Sequence, residues 1–194
     1  MNQRTRQKQK SREAIAASAA ALLLERGIKA SSVMDVMKRA GLTVGGFYSH
    51  YDSKEELFVE TLRNAASANW DHLLKSAKGG TPHSRTLSVI RQYLSPKHRD
   101  NKETGCPLPS TAADIARHGE PYRSALENEL SGFVGSLANM IDAGAESREK
   151  ALGLIALMYG ALTLSLAVAG TRLSDEFLKA GRKLAERALA DEEA

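Results

Sequence analysis

Three helix start signals crowd into the segment Ser32–Phe58, and that crowding limits the fold more than any other feature of the chain. Ser32 followed by Asp35 is a variant capping box, and Val33, Val36 and Met37 supply one apolar face. Gly41 ends this helix, since glycine tolerates the left-handed conformation favoured just past a helix C-terminus. Thr43 caps a second helix, expected from Val44 to about His50. Asp52-Ser53 start another, with Glu55 and Glu56 in the first turn, where the positive helix end favours carboxylates. The middle helix has only Val44, Phe47 and Tyr51 to pack with. A short helix that otherwise shows small and polar groups presents a surface to something else. Helix-turn-helix proteins lay such an element in the major groove of DNA, so the segment predicts DNA binding.

The charge supports that expectation. The net charge is +4, and residues 1–56 hold all of it, with ten Lys/Arg against six Asp/Glu, while residues 57–194 carry seventeen of each. A nucleic-acid contact surface requires such localisation. Few prolines, many Ala and Leu, and no strand pattern or repeat predict an all-α fold. A lone cysteine, Cys106, rules out an intrachain disulfide and suits a reducing cytoplasm, the expected location. His50, His72, His83, His98 and His118 lack metal-ligand spacing, and no metal or cofactor is expected. Neither a Ser/His/Asp nor a Cys/His arrangement, nor a glycine-rich phosphate loop after a strand, points to an enzyme.

Two stretches imitate membrane signals. Arg4–Arg12 followed by Ala14–Leu24 resembles a secretory leader, but Glu13 intervenes, and Ile15, Ala19, Leu22 and Leu23 share one helical face. Residues 151–170 carry no charge and reach membrane-span length, yet include Gly153, Tyr159, Gly160, Thr163, Ser165 and Gly170. The expectation is a helix buried on all sides by the core and a second subunit, with no membrane partner.

Along the chain, residues 1–10 read as a flexible basic arm, residues 11–55 as a helix-turn-helix domain, and residues 56–194 as a ligand-binding and dimerisation domain. Nine helices are expected in two domains, the first a three-helix bundle. The first runs from Ser11 to Arg26, and the fourth from Asp52-Ser53 to about Lys75. The fifth is marked by Leu87, Ile90 and Leu94, and the sixth ends near Arg117. The seventh starts at Gly119-Glu120-Pro121. The eighth covers Ser147–Ala169 and the ninth Ser174–Ala190. The polar stretch Ser95–Gly105 is expected to be the least structured part after the arm.

The run Ala40-Gly-Leu-Thr-Val-Gly-Gly-Phe-Tyr-Ser-His-Tyr-Asp-Ser-Lys-Glu-Glu-Leu57, within residues 11–58, closely resembles the TetR/AcrR family of bacterial transcriptional regulators. Beyond residue 58 the resemblance is one of architecture. It implies a regulator, in the main a repressor, that binds a pseudo-palindromic double-stranded operator as a homodimer. It further implies pairing through the eighth and ninth helices, where Gly160, Ala161 and Gly181 permit close approach. A small-molecule inducer in the C-terminal domain would release the DNA. Two departures stand out: Met37 replaces a common alanine, and Val44 a common basic or polar residue.

Thr43, Tyr48, His50 and Lys54 match family positions that touch the DNA backbone, and hydroxyls and an ammonium group donate well to phosphate oxygens. Ser32 and Ser49 join them as possible contacts. Gly45 and Gly46, poor helix formers, suit close approach to DNA, with a loosened helix as the alternative. Val44 suits a thymine methyl. The recognition helix has no Arg, Asn or Gln, so DNA shape is expected to contribute, with Arg4, Arg6, Lys8, Lys10 and Arg12 as minor-groove candidates or a plain solvated tail. For Tyr48 and His50 local packing is the alternative. Trp70, Tyr93, Cys106, Phe133, Met140, Met158 and Tyr159 line a ligand cavity or simply pack a core, around a moderately apolar, neutral ligand. Asp114 and His72 are candidate polar anchors, and Cys106 is open to a second reading as a sensor of oxidants or electrophiles.

Overall fold

The computed structural model describes residues 2–101, 105–141 and 146–190. Among them nine α-helices and one 3-10 helix occur, and no strand. The order is α1 (Gln3–Arg26), α2 (Val33–Arg39), the 3-10 helix (Val44–Ser49), α3 (Lys54–Ser76), α4 (Pro82–Tyr93), α5 (Pro96–Arg99), α6 (Leu108–His118), α7 (Tyr122–Ile141), α8 (Ser147–Ala167) and α9 (Arg172–Ala190). The chain divides into two compact units, residues 2–66 with 105–127, and residues 67–101 with 128–141 and 146–190. The boundary therefore differs from a single cut after residue 55. Residues 105–127 belong to the first unit because Ile115, Tyr122 and Ala125 complete its core.

In the first unit α1 buries Ile15, Ala19, Leu22 and Leu23, whose spacing of four, three and one marks one helical face. They meet Val36 and Met37 of α2, Phe47 and Tyr51, and Leu57, Phe58 and Leu62 of α3. Residues 1–10 are not a separate arm where they are described: α1 starts at Gln3, with the Asn2 side chain accepting from Arg4 N at 3.4 Å. Arg, Lys and Gln are good helix formers and extend the helix although this stretch has no apolar face to bury. Helix α1 stops at Gly27, whose φ of 73° is left-handed. A side chain there would also meet the Ser110 carbonyl oxygen of α6. The Ser110 hydroxyl donates to Leu23 O at 2.8 Å, and Asp114 Oδ2 accepts from Lys29 N at 3.1 Å. Burial raises the Asp114 pKa, but those hydrogen bonds and Arg117 outweigh it and hold the carboxyl below its ordinary value. Asp114 thus ties α6 to the turn after α1, and this defines its role.

In the second unit α8 and α9 form an antiparallel pair along their length. Helix α8 is long and apolar enough to cross a membrane by composition. Ala151, Leu154, Ile155, Met158, Ala161, Leu162 and Ser165 are buried, whereas Leu152, Leu164 and Leu166 are exposed. It is therefore buried on one side within the chain, not all round. Gly181 of α9 is where the two helices approach closely: a Cβ there would stand 2.9 Å from Ala161 Cβ and 3.1 Å from Leu94. Gly181 and Ala161, expected to serve a partner subunit, are thus occupied by each other. The Ser174 hydroxyl donates to Ser165 O at 2.7 Å near the turn between the helices.

Within the polar stretch Ser95–Gly105, Pro96–Arg99 form α5, while residues 102–104 lie outside the described residues. Ser95 accepts from His98 N at 3.1 Å and Pro96 takes the first helical position, where a missing N–H costs nothing. Arg99 then donates to Ser174 at 2.8 Å and pairs with Asp175 at 2.7 Å, fastening α5 to α9. His98 Nδ1 lies 2.8 Å from Tyr93 O and Nε2 3.2 Å from Asn69 Nδ2. With Nδ1 as donor and Nε2 as acceptor, the neutral ring satisfies both contacts.

Burial, and secondarily the charge of His72, lowers the His98 pKa below 6.5 despite the opposing hydrogen bond to Tyr93. The unfolded chain then binds the proton more readily. The contribution of His98 is fully present above pH 6.5 and falls as the pH drops through the lowered folded value. His98→Gln is expected to reduce the loss of urea-unfolding stability between pH 7.5 and pH 5.5 relative to wild type.

Candidate nucleic-acid interface

The turn at Ser32 is a true capping box. The Ser32 hydroxyl accepts from Asp35 N at 3.1 Å and donates to Asp35 Oδ2 at 2.6 Å, and Ser32 N donates to the same oxygen at 3.1 Å. These hydrogen bonds hold the Asp35 carboxyl below its ordinary pKa. Ser32 is accordingly committed to starting α2. Helix α2 ends in Gly41 at a φ of 69°, and Leu42 N donates back to Met37 O at 2.9 Å. Met37 fits as a fully buried side chain, so its departure from the commoner alanine is absorbed by the core.

The expected α-helix at Val44–His50 is instead a 3-10 helix, Val44–Ser49. Two adjacent glycines, Gly45 and Gly46, weaken an α-helix by about 1 kcal/mol each, and a six-residue element has too few i→i+4 bonds to offset that. Gly46 N donates to Thr43 O at 3.0 Å, His50 N to Phe47 O at 2.9 Å, and the Ser49 hydroxyl to Gly46 O at 2.8 Å. Thr43 occupies the N-cap position with no capping bond from its side chain, which leaves the hydroxyl exposed.

Phe47 is the anchor. It is fully buried, stacks on Tyr51 with centroids 5.8 Å apart, and takes Tyr48 edge-on at 5.2 Å. Around it Val44 is 45% and Tyr48 68% exposed, and Gly45 and Ser49 are also open. This brings Thr43, Val44, Gly45, Tyr48 and Ser49 together as exposed residues of one short element. Met34 of α2 is 64% exposed as well, a large apolar side chain that sequence reasoning passed over because it lies off the Val33/Val36/Met37 face.

At the C-terminal side, Ser53 accepts from Glu56 N at 3.0 Å and Glu56 from Asp52 N at 2.6 Å, so α3 begins with reciprocal caps. Lys54 stands in the first turn with its ammonium 5.6 Å from the Phe58 ring centroid. His50 is half-buried, and its Nδ1 has no hydrogen-bond partner among the described residues. Burial, then the charges of Lys8 and Arg12, lowers its pKa below the ordinary histidine value.

Arg12 is the residue the sequence misplaced. Rather than reaching outward with Arg4, Arg6, Lys8 and Lys10, which are exposed on α1, it turns into the unit. It donates to His50 O at 3.1 Å, pairs with Glu60 at 2.6 Å and lies 4.6 Å over the Tyr51 ring. Tyr51 in turn donates to Glu60 at 3.1 Å. Burial and the Glu60 carboxylate push the Tyr51 phenol up to about 12. No local pattern links residues 12, 51 and 60, so only the folded chain reveals this network.

The family model for bacterial regulatory proteins of the tetR family matches residues 15–61, the segment that carries the second half of α1, α2, the 3-10 helix and the start of α3. Over that segment the chain is similar to the TetR family. Among TetR-family relatives, the transcriptional repressor NemR of Escherichia coli is 26% identical over 138 residues, 70% of this chain and 69% of that protein. The repressor KstR2 of Rhodococcus jostii is 41% identical over 72 residues, 37% of this chain and 35% of that protein. The crystal structure of reduced E. coli NemR has the same fold, with a TM-score of 0.78 at 24% identity, covering 91% of this chain and 95% of that one.

Six of the seven residues expected to line a ligand site lie in the second unit. Trp70, Tyr93, Phe133 and Met158 are buried in the second unit, and Met140 and Tyr159 are half-buried there. Cys106 is buried in the first unit, two residues before α6. His72 is exposed on α3.

Arg12→Met is expected to lower stability by about 1 kcal/mol, the worth of a half-exposed ion pair with its ring contact, read as a fall in melting temperature.

Proposed function

We propose that the chain is a transcriptional repressor that binds a pseudo-palindromic operator as a homodimer and is released by a small molecule bound in its second unit. The observation that carries this is the 3-10 helix that exposes Thr43, Val44, Gly45, Tyr48 and Ser49 while Phe47 roots it in the core. Its place within a TetR-family match, and the repressor names of the relatives, support the same reading.

In this reading Thr43, Tyr48, His50 and Lys54 donate to phosphates. Val44 meets a thymine methyl, and Gly45 lets the backbone come close. Arg4 and Arg6, carried on an exposed helical extension, supply charge and shape reading. Two such surfaces about 34–36 Å apart, or a larger spacing of that order, suit successive turns of DNA. The exposed leucines of α8 and α9, Leu152, Leu164, Leu166, Leu173 and Leu184, are the apolar surface for the second subunit. Trp70, Tyr93, Phe133, Met140, Met158 and Tyr159 form the effector region. Helix α3 carries Lys54 at one end and Trp70 further along, so a ligand that shifts Trp70 acts on the same helix that holds a phosphate contact.

Gel-shift titration against the chain's own upstream DNA tests the proposal. Tyr48→Ala and Lys54→Ala are each expected to weaken binding to all sequences alike, and Val44 substitutions to change sequence preference. Equal operator affinity for wild type and the Tyr48/Lys54 double variant at moderate salt would overturn the assignment of these contacts.

A further inference from the structure

Helix α4 carries a polar stripe on its outer face. Ser84, Ser88, Arg91, Gln92 and Ser95 recur at helical spacing, opposite the buried Thr86, Val89, Ile90 and Tyr93. With the loop after α3 and the start of α5 they line an open cleft of about 560 Å³, the size of a small-molecule site. The lining holds three cationic side chains, Lys78, Arg91 and Lys97, and no carboxylate. Its walls are fastened: Lys78 N donates to Ser88 Oγ at 2.9 Å, and the Ser76 hydroxyl to Gln92 Oε1 at 2.7 Å. The loop lies so close to α4 that a side chain at Gly79 would collide with the Ser84 hydroxyl.

The donors of the cleft differ in what they already hold. Ser84 donates to Thr81 O at 2.9 Å and Ser95 to Gln92 O at 2.7 Å. Ser88 accepts twice, from Lys78 N and from Gln92 Nε2 at 3.2 Å, so its own O–H is left to donate. Arg91 gives Nε and Nη2 to Glu186 of α9 and keeps Nη1. Among the described residues no carboxylate pairs with Lys78 or Lys97. Lys78 joins the stripe at Ser88, and Lys97 follows Ser95, two helical turns on and about 10 Å away. Two uncompensated cations at the two ends call for two separated negative charges. We propose that this cleft binds an elongated organic dianion, one end held by Lys78 and the Ser88 hydroxyl and the other by Lys97, with Arg91 between them. It is a second ligand site, on the opposite face of α4 from Tyr93, and does not depend on the effector region.

Suberate, octanoate and inorganic phosphate test this: a chain with a carboxylate at each end, the same length with one, and a compact anion. Titration at low ionic strength is followed by NMR on the backbone amide of Lys78, which donates to Ser88 Oγ inside the cleft. Suberate is expected to bind about fivefold more tightly than octanoate, the ratio of one half-exposed ion pair. Lys78→Gln and Lys97→Gln, checked for an unchanged fold by thermal melting, should each remove that preference. Arg63→Gln loses the same charge from an exposed position of the first unit and should keep it. Equal affinity for suberate and octanoate, or a preference that survives in both lysine variants, overturns the proposal. So does tighter binding of phosphate than of suberate, since a compact anion engages one end alone. A preference lost in Arg63→Gln also overturns it, because it then reports overall charge, and so does an unmoved Lys78 amide with every probe.

Discussion

The burial of Phe47 and Tyr51 is the interaction on which the candidate DNA surface depends. A six-residue 3-10 helix with two central glycines has no stability of its own. Its shape is imposed by an aromatic pair planted among the α1, α2 and α3 side chains, with Phe47 fully buried and Tyr51 nearly so. Arg12 closes the arrangement. By binding His50 O, Glu60 and the Tyr51 face at once, it joins α1 to the two elements that follow the turn. The outer residues can then be chosen for contact alone, since none of them is needed to hold the fold.

Helix α3 belongs to both cores. Leu57, Phe58 and Leu62 pack in the first unit, and Trp70 and Leu73 are buried in the second. Helix α7 likewise contributes Tyr122 and Ala125 to the first unit and Phe133 and Leu137 to the second.

Much of this was legible from local pattern. The capping box at Ser32, the stop at Gly27, the left-handed Gly41, the start of α3 and its extent all follow from residue types at short range. Features less legible were those without periodicity or with long reach. The helical state of residues 3–10 was hidden because a solvated helix has no apolar stripe. Helix α5 was hidden in a polar stretch, although Ser95-Pro96 was a readable start signal. The pairing of Gly181 with Ala161 looked like a surface for another subunit, since small residues signal close approach without naming the neighbour.

By itself the sequence determined an all-helical chain, the turn-rich segment around residues 32–58, and a local excess of positive charge, because caps, breaks and charge counts act over a few residues. Only the tertiary structure decided that the candidate recognition element is a 3-10 helix and that Arg12 clamps it to α1 and α3. It alone grouped residues 105–127 with the first unit and collected Trp70, Tyr93, His98 and Phe133 into one stack. These outcomes depend on which buried faces meet, and contacts between residues tens of positions apart leave no mark on local pattern.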